Sequence, residues 1–253
     1  MRRILIIPAA GSGSRLGAPV PKLLFPVNRR PMLDYLVDLY APFVERLVLV
    51  VQPAAEAQVR EYCAAHGIRA ECEVQPSPTG MLDAILIPSD RIARAAPDTV
   101  WITWCDQIAV HPSTVARLAE ADGASDLVFP TVRQVQPYVH FVRNDRGDLS
   151  GVLHRREGDA MPDVGESDIG LFALTRTTYL GLLPAFACEA GRSAVTRERN
   201  FLPFIPWLAA RGRVATIPAQ AEIEALGLNT ADDARRLEAH FSGRAPTASR
   251  RDG

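Results

Sequence analysis

The first half of the chain alternates short apolar runs, rich in β-branched residues, with segments whose apolar residues recur at helical spacing. This alternation is typical of a parallel β-sheet whose strands are joined by crossover helices. The predicted strands are residues 4–7, 46–51, 70–74 and 99–104, and the predicted helices are residues 31–40, 56–65 and 81–95. The sequence therefore predicts an α/β fold of three layers with a mostly parallel central sheet.

A different pattern begins near Asp126, where the apolar runs become shorter. The polar segment 144–148 lies between two such runs and predicts the turn of a β-hairpin. The predicted strands here are 127–132, 138–143, 150–154, 169–174 and 213–217, and the predicted helices are 177–186, a helix within 200–209 and 230–241. We expect one domain over residues 1–241, with halves at 1–125 and 126–241, followed by a disordered tail at 242–253.

Charge and cysteine usage exclude several classes of protein. Lys and Arg number 28 against 29 Asp and Glu, so the net charge gives no attraction for nucleic acid or an anionic membrane. The four cysteines lie far apart, without a CxxC pair, which favours buried reduced thiols over a metal site. The first apolar run ends at Pro8, too short for a secretory signal, and no stretch reaches the roughly 18 apolar residues of a membrane span. We expect a cytoplasmic protein that binds neither nucleic acid nor membrane.

Residues 8–22 read PAAGSGSRLGAPVPK and follow directly on the first predicted strand. Glycine lets backbone N–H groups converge on an anion, so this loop suits phosphate, although an ordinary flexible turn has a similar composition. Gly17 comes one place too late for GxGxxG, and GxxxxGK[ST] is absent, which argues against dinucleotide-binding and P-loop folds. Arg15 and Lys22 add two cations, and this pair suits a triphosphate better than a single phosphate.

The longer segment AAGSGSRLGAPVPKLLFPVNRRPML resembles the opening signature of the sugar-1-phosphate nucleotidyltransferases, which include N-acetylglucosamine-1-phosphate uridylyltransferases and glucose-1-phosphate thymidylyltransferases. The resemblance implies a fold of the nucleotide-diphospho-sugar transferase type, with a Rossmann-like nucleotide-binding half and a small β-rich acceptor lobe. It also implies that Arg15 and Lys22 are the catalytic cations, which neutralise the phosphates of a nucleoside triphosphate. The loop residues that it implies in nucleotide binding are Ala9, Ala10, Gly11, Ser12 and Gly13.

Three shorter segments resemble the same family in the expected order. The segment QPSPTG at 75–80 resembles the stretch that reads the nucleobase, with Gln75 and Gly80 as the implied contacts, although a proline-stiffened turn would read the same. The segment WCDQ at 104–107 resembles the strand end whose aspartate, here Asp106, binds Mg²⁺. The segment GLNT at 227–230 resembles the part that completes the metal site through Asn229, a role compatible with the start of a helix. The resemblance thus implies one Mg²⁺ held by Asp106 and Asn229.

The acceptor side matches the family less closely. The segment ESDIGL at 166–171 resembles the sugar-binding stretch, although the family often has asparagine at the position of Asp168. Tyr138 is not followed by glycine, His154 replaces a glutamate, and Arg155 or Arg156 takes the place of a lysine. A partly exposed strand histidine is an equal interpretation of His154. The residues that the resemblance implies in acceptor binding are Tyr138, His154, Arg156, Glu166 and Asp168.

The resemblance predicts an Mg²⁺-dependent enzyme that joins a nucleoside triphosphate, UTP or dTTP, to a sugar-1-phosphate and releases pyrophosphate. A cytidylyltransferase acting on a phosphonate, a phosphoalcohol or an unusual sugar phosphate is the alternative within enzymes. A non-catalytic sensor of nucleotide sugars is the alternative from another class. The expected partners are the triphosphate and a phosphorylated small molecule. The sequence leaves open whether the chain forms a homo-oligomer.

Overall fold

The computed structural model describes residues 1–11 and 20–243. The strands are β1 (Arg3–Ala9), β2 (Pro26–Val27), β3 (Arg30–Pro31), β4 (Arg46–Val51), β5 (Ala70–Val74), β6 (Thr99–Thr103), β7 (Leu127–Val135), β8 (Val139–Arg143), β9 (Leu149–His154), β10 (Val164–Asp168), β11 (Leu171–Thr175) and β12 (Val214–Pro218). The α-helices are α1 (Met32–Tyr40), α2 (Pro53–Ala65), α3 (Met81–Leu86), α4 (Ser89–Ala95), α5 (Pro112–Ala121), α6 (Leu183–Glu189), α7 (Phe204–Ala209) and α8 (Ala231–Ser242).

Within the described residues, eight strands form one mixed sheet in the order β10-β7-β11-β6-β1-β4-β5, with β12 also paired to β7. β1 pairs in parallel with β4 and β6, and β4 pairs in parallel with β5. β10 and β11 enter antiparallel, whereas β12 is parallel to β7. The predicted α/β fold with a mostly parallel centre is confirmed, and the second half adds the antiparallel strands.

Both faces of the sheet are covered, which explains why its central strands are apolar at almost every position. Along β1 the side chains alternate, so that Leu5 and Ile7 pack on one face while Ile4 and Ile6 pack on the other. The first face is covered by α1, α2, α5 and α8, and the second by α3, α4, α6 and α7. The three-layer arrangement is therefore confirmed.

The parallel strands end together at one edge of the sheet. The register aligns Ala9 of β1 with Val51 of β4, and Val51 with Val74 of β5. The chain adds β4 and β5 on one side of β1 and β6 on the other, so the strand order reverses at β1. In open α/β sheets, ligands bind in the crevice at such a reversal point. The loop after β1 and the segments that begin at Gln75 and Trp104 all start at this edge.

Two predicted helices have a different form in the structure. The helix predicted at 81–95 divides into α3 and α4 at Pro88, which has no N–H to donate and whose ring opposes a continuous helix. The helix predicted at 177–186 begins as a π-helical turn, Thr178–Leu182, and continues as α6. Leu183 donates to the carbonyl of Thr178, five residues back, just before Pro184, which cannot donate.

Helix α5 and strand β10 were not predicted, nor were the two-residue strands β2 and β3. Helix α5 has a weak start signal, because the side chain at its N-cap is His111, which accepts from the N–H of Ser113. Strand β10 reads VGESD and lacks the apolar alternation of a half-buried strand, yet its Ser167 and Asp168 are buried. The predicted hairpin around 144–148 is confirmed, since β8 and β9 pair antiparallel.

The cysteine prediction is correct in part. Cys63, Cys72 and Cys105 are buried free thiols, and burial raises the pKa of Cys63 to about 11 and that of Cys105 to about 12. Cys188 is a free thiol as well, but it is exposed, so the expectation of a buried residue is wrong there. None of the helices in the described ranges is both long and apolar enough to cross a bilayer. The domain boundaries stay a prediction, and residues 244–253 of the predicted tail lie outside the described residues.

Candidate active site

Lys22, Asp106 and Asn229 converge from three distant parts of the sequence. The Nζ of Lys22 donates to Oδ2 of Asp106 at 2.7 Å and to Oδ1 of Asn229 at 3.3 Å. Lys22 begins a one-turn 3₁₀ helix, Lys22–Leu24, and Asp106 follows the end of β6. The side chains of Lys22 and Asp106 are only 14% and 15% exposed, so their attraction is screened less than that of a surface pair. The structure thus assembles one predicted catalytic cation and both predicted metal ligands.

The segment that carries Asn229 passes directly over Asp106. The N–H of Leu228 donates to the backbone carbonyl of Asp106 at 3.1 Å. A Cβ at Gly227 would lie 3.3 Å from Cγ of Asp106 and 3.2 Å from Nδ2 of Asn229, so a side chain here would press on both groups. Nδ2 of Asn229 donates to the carbonyl of Gly227 at 3.3 Å, which turns Oδ1 of the same amide toward Lys22.

The start of α8 fixes the same segment from the other side. Thr230 is the N-cap, and its Oγ1 accepts from the N–H of Asp233 at 3.2 Å. Oδ2 of Asp233 accepts in return from the N–H groups of Thr230 at 2.8 Å and Asn229 at 3.1 Å. This reciprocal cap satisfies amides that the helix leaves unpaired, and it holds Asn229 at the helix entrance.

Glu224, which sequence reasoning missed, lies fully buried beneath these segments. Its carboxylate accepts from three backbone N–H groups: Gln220 at 2.6 Å, Ala221 at 2.8 Å and His111 at 2.9 Å. His111 belongs to the segment that follows Asp106, and the other two precede Asn229. Glu224 therefore joins the two segments that supply the predicted metal ligands. Its only sequence signal is a glutamate within an apolar stretch, IEALGL.

The donor set at Lys22 fits a hard divalent cation. One carboxylate oxygen and one amide oxygen already face a single positive charge, the ammonium of Lys22. Mg²⁺ prefers such oxygen ligands and completes its octahedral shell with water and substrate phosphates. In the described ranges, no cluster of three or more His, Cys, Asp and Glu could hold a metal by itself. A site completed by substrate is the arrangement that these residues suit.

Those predicted nucleotide-binding residues that the structure describes lie at the same edge of the sheet. Ala9 ends β1 and Ala10 follows it, both buried, while Gly11 is exposed. Gln75 follows β5, and its Nε2 donates to the carbonyl of Gly80 at 3.1 Å and to Oγ1 of Thr79 at 3.3 Å. Gln75 and Gly80 thus close one compact turn. Ser12, Gly13 and Arg15 lie outside the described residues.

Asp168 is the last residue of β10 and is buried, with the side chain of Trp104 as a hydrogen-bond partner. Burial raises the pKa of Asp168 to about 6, and the charge of Asp106 acts in the same direction. Hydrogen bonds from the N–H of Gly170 and from the side chain of Trp104 act in the opposite direction. The Gly170 bond to Oδ2 is 2.8 Å long. The negative charges of the predicted acceptor carboxyl and the predicted metal carboxyl therefore oppose each other.

The other predicted acceptor residues lie on or beside the hairpin of β8 and β9. The rings of Tyr138 and His154 meet edge to face with their centroids 5.0 Å apart, and burial lowers the pKa of His154. The guanidinium of Arg156 forms two hydrogen bonds with Glu198, at 2.9 and 3.1 Å. Glu166 is held in the same way by Arg143, at 2.6 and 2.7 Å. In this structure Arg156 and Glu166 are each paired internally.

A protein-family model described as the MobA-like NTP transferase domain matches residues 5–199, more than half of the chain. The chain belongs to this family. Membership in the MobA-like NTP transferase family confirms the interpretation of the sequence as a nucleotidyltransferase, which the glycine loop and the acidic strand end suggested.

Curated relatives of this MobA-like chain carry the name Bifunctional protein GlmU. The protein of that name from Maricaulis maris is 28% identical over 99% of this chain and 55% of its own length. The one from Stutzerimonas stutzeri is 26% identical over 95% of this chain and 52% of its own length. This chain therefore spans about half the length of the curated relatives that it matches.

A solved structure supports the fold. A nucleotidyl transferase from Methanothermobacter thermautotroptrophicus aligns with a TM-score of 0.64 and 22% identity, over 96% of this chain and 98% of that one. At this identity the likeness shows that the MobA-like chain has the nucleotide-diphospho-sugar transferase type of fold, as the resemblance implied.

Proposed function

We propose that this chain transfers a nucleotidyl group from a nucleoside triphosphate, UTP or dTTP, to a sugar-1-phosphate in an Mg²⁺-dependent reaction. The observation that carries the proposal is the convergence of Lys22, Asp106 and Asn229 at the edge of the sheet where the glycine loop begins. Membership in a family of NTP transferases supports the triphosphate as the donor. The resemblance of the opening segment supports a sugar phosphate as the acceptor.

In this reaction an oxygen of the acceptor phosphate attacks the α-phosphorus of the triphosphate. The new P–O bond forms as the bond between the α-phosphorus and the bridging oxygen breaks, and pyrophosphate leaves with that electron pair. The attacking oxygen is already an anion, so no side chain needs to remove a proton. The barrier is the approach of one anion to another, and positioned positive charge lowers it.

Lys22 is proposed to hold the α-phosphate and the incoming phosphate through its ammonium. Asp106 and Asn229 orient that ammonium, and together they would hold the Mg²⁺ through Oδ2 and Oδ1. A bound Mg²⁺ would neutralise phosphate charge and stabilise the leaving pyrophosphate. Arg15 is proposed to contact the β- and γ-phosphates. Gln75 and Gly80 are proposed to contact the nucleobase, because their turn follows β5 at the same edge of the sheet.

A second candidate is a cytidylyltransferase that acts on a phosphonate or a phosphoalcohol. It is favoured by the acceptor lobe, where His154 stands in place of the family's glutamate and the guanidinium of Arg156 is bound to Glu198. A sensor without activity would be expected to have lost at least one of the four predicted phosphate and metal residues, and all four are present.

The test is pyrophosphate release in Mg²⁺ buffer with each of UTP, dTTP, CTP, ATP and GTP against sugar-1-phosphates, phosphonates and phosphoalcohols. We expect one nucleotide and one acceptor class to stand out. Asp106→Asn should lower turnover about 100-fold or more, the typical effect of removing one preorganised electrostatic group. Asp145→Asn, which removes a charge at the exposed tip of the β8–β9 hairpin, is the matched control and should keep full activity. Absence of release with every pair would favour the sensor.

A further inference from the structure

The segment at residues 190–200, here called the bridging loop, contacts both predicted substrate regions. It follows α6. On one side it is held by the acceptor hairpin, taken here as β8, β9 and the one-turn helix Arg155–Glu157 that follows them, and on the other side by the turn of Gln75 to Gly80. Neither set of contacts was predicted from the sequence, where the loop is merely a polar stretch, AGRSAVTRERN.

Glu157 holds the hairpin side of the bridging loop. It ends the one-turn helix Arg155–Glu157, directly after β9. Its carboxylate accepts from Oγ1 of Thr196 at 2.9 Å, from Nδ2 of Asn200 at 2.8 Å, and from Oγ of Ser193. Burial opposes the charge, but these hydrogen bonds outweigh it and lower the pKa of Glu157, so the carboxylate stays ionised at neutral pH.

The neighbouring residue forms a second tie to the same loop. Arg156 binds Glu198 through both terminal nitrogens, at 2.9 and 3.1 Å, a geometry that fixes direction as well as distance. Two consecutive residues of the hairpin therefore hold the bridging loop between Ser193 and Asn200. Of the two, Glu157 is the less exposed, with a side chain 16% accessible against 39% for Arg156.

Arg199 holds the nucleotide side of the bridging loop through its backbone. Its N–H donates to the carbonyl of Thr79 at 2.9 Å, and its carbonyl accepts from the N–H of Leu82 at 3.0 Å. Its guanidinium pairs with Asp83 at 3.2 Å. A Cβ at Gly80 would lie 2.4 Å from the backbone nitrogen of Arg199, so the backbones of these two residues are in direct contact. Arg199 directly adjoins Asn200, which Glu157 holds.

We infer that Glu157 is a positioning residue that couples the acceptor hairpin to the nucleobase turn through the bridging loop. This inference rests on the proposed function, because it assumes that the turn of Gln75 to Gly80 contacts the nucleobase. A carboxylate on the acceptor side then sets the position of Gly80 on the nucleotide side. The factor by which occupation of the hairpin changes nucleotide affinity is then the factor by which nucleotide changes acceptor affinity, as linkage requires.

The first test needs no turnover. Amide hydrogen exchange is measured by NMR on the wild-type chain and on Glu157→Gln, which keeps the shape of the side chain but removes its charge. We expect faster exchange at the amides of Arg199 and Leu82, which lie on the nucleotide side. Asp145→Asn on the same hairpin should leave both unchanged. Unchanged exchange at both amides in Glu157→Gln would overturn the inference, whatever the activity of the enzyme.

The second test separates coupling from simple loss of structure. The dissociation constants of UTP, dTTP and CTP are measured in Mg²⁺ by equilibrium dialysis, and the KM of the best acceptor is measured separately. We expect Glu157→Gln to weaken nucleotide binding about tenfold, equivalent to about 1.4 kcal/mol, although Glu157 lies on the acceptor hairpin. Asn200→Ala should also weaken nucleotide binding. The double variant should lose less binding free energy than the sum of the two single losses, since both residues act through one contact.

A change in acceptor KM alone, with nucleotide binding unaltered, would overturn the coupling. If the variants bind nucleotide less tightly but no acceptor pair releases pyrophosphate in the wild type, the proposed reaction fails while the tie between Glu157 and the nucleotide turn stands. The two failures are therefore distinguishable.

Discussion

Glu224→Ala tests whether the buried carboxylate holds the predicted metal-binding segments together. The substitution removes the hydrogen bonds that the fully buried carboxylate accepts from the N–H groups of Gln220, Ala221 and His111. A hydrogen bond to a charged group contributes about 1.5–3 kcal/mol, so three give an upper sum of about 4.5–9 kcal/mol. Water can enter the space that the side chain leaves, and the backbone can relax. We therefore expect a loss of about 3–5 kcal/mol in the free energy of unfolding.

Urea denaturation followed by circular dichroism measures this loss, and the slope of the transition should stay constant. The thermal midpoint should fall by about 6–20 °C, given about 2–4 °C for each kcal/mol in a chain of this size. Glu222→Ala is the matched control, because Glu222 is an exposed glutamate of the same turn, and its stability should change by less than about 0.5 kcal/mol. A loss below about 1 kcal/mol for Glu224→Ala would refute the structural role assigned to this residue.

Three further predictions follow from the site. Folding raises the pKa of Asp168 to about 6, so the native state holds a proton that the unfolded chain releases, and the free energy of unfolding falls as pH rises from about 4 to 6. In metal-free buffer, Asp168→Asn should remove this pH dependence, so that its effect on the free energy of unfolding is about 3 kcal/mol more favourable at pH 7 than at pH 4. An equal pH dependence in both proteins would contradict the assignment. Gly80→Ala should destabilise the fold by more than about 2 kcal/mol in urea titrations, because φ is +124° and Arg199 occupies the space, while Gly181→Ala, with open space around it, should change stability far less. Lys22→Ala should lower kcat about 100-fold or more while changing nucleotide affinity less, and the opposite pattern would make Lys22 a binding residue only.

The sequence predicted the parallel half of the fold well because its signals there are local and repeated. Buried strands such as β4 are nearly uninterrupted apolar runs, and in the helices between them the apolar residues recur at helical spacing. The pairing of Asp106 with Asn229 came from the family resemblance alone, because no local pattern in the sequence links two residues so far apart.

What the sequence did not predict depends on contacts between distant segments. Glu224 and Glu157 are ordinary charged residues in the sequence, and their importance comes from backbone and side-chain donors that only the fold brings near. The short helix pair α3 and α4 was read as one helix because apolar spacing continues across Pro88. Strand β10 was missed because the buried groups in it are polar and satisfied by tertiary hydrogen bonds, such as that of Ser167 to the carbonyl of Val139.

The central claim is nucleotidyl transfer at the site of Lys22, Asp106 and Asn229, and following the label of the α-phosphate tests it most directly. Triphosphate labelled at the α-phosphorus is incubated with the preferred acceptor and Mg²⁺, and the products are separated and counted. We predict that the label enters the acceptor product in a one-to-one ratio with pyrophosphate, and that Asp106→Asn lowers the rate of both about 100-fold or more. Label that appears in free mono- or diphosphate, or transfer that keeps the wild-type rate in Asp106→Asn, would contradict the account.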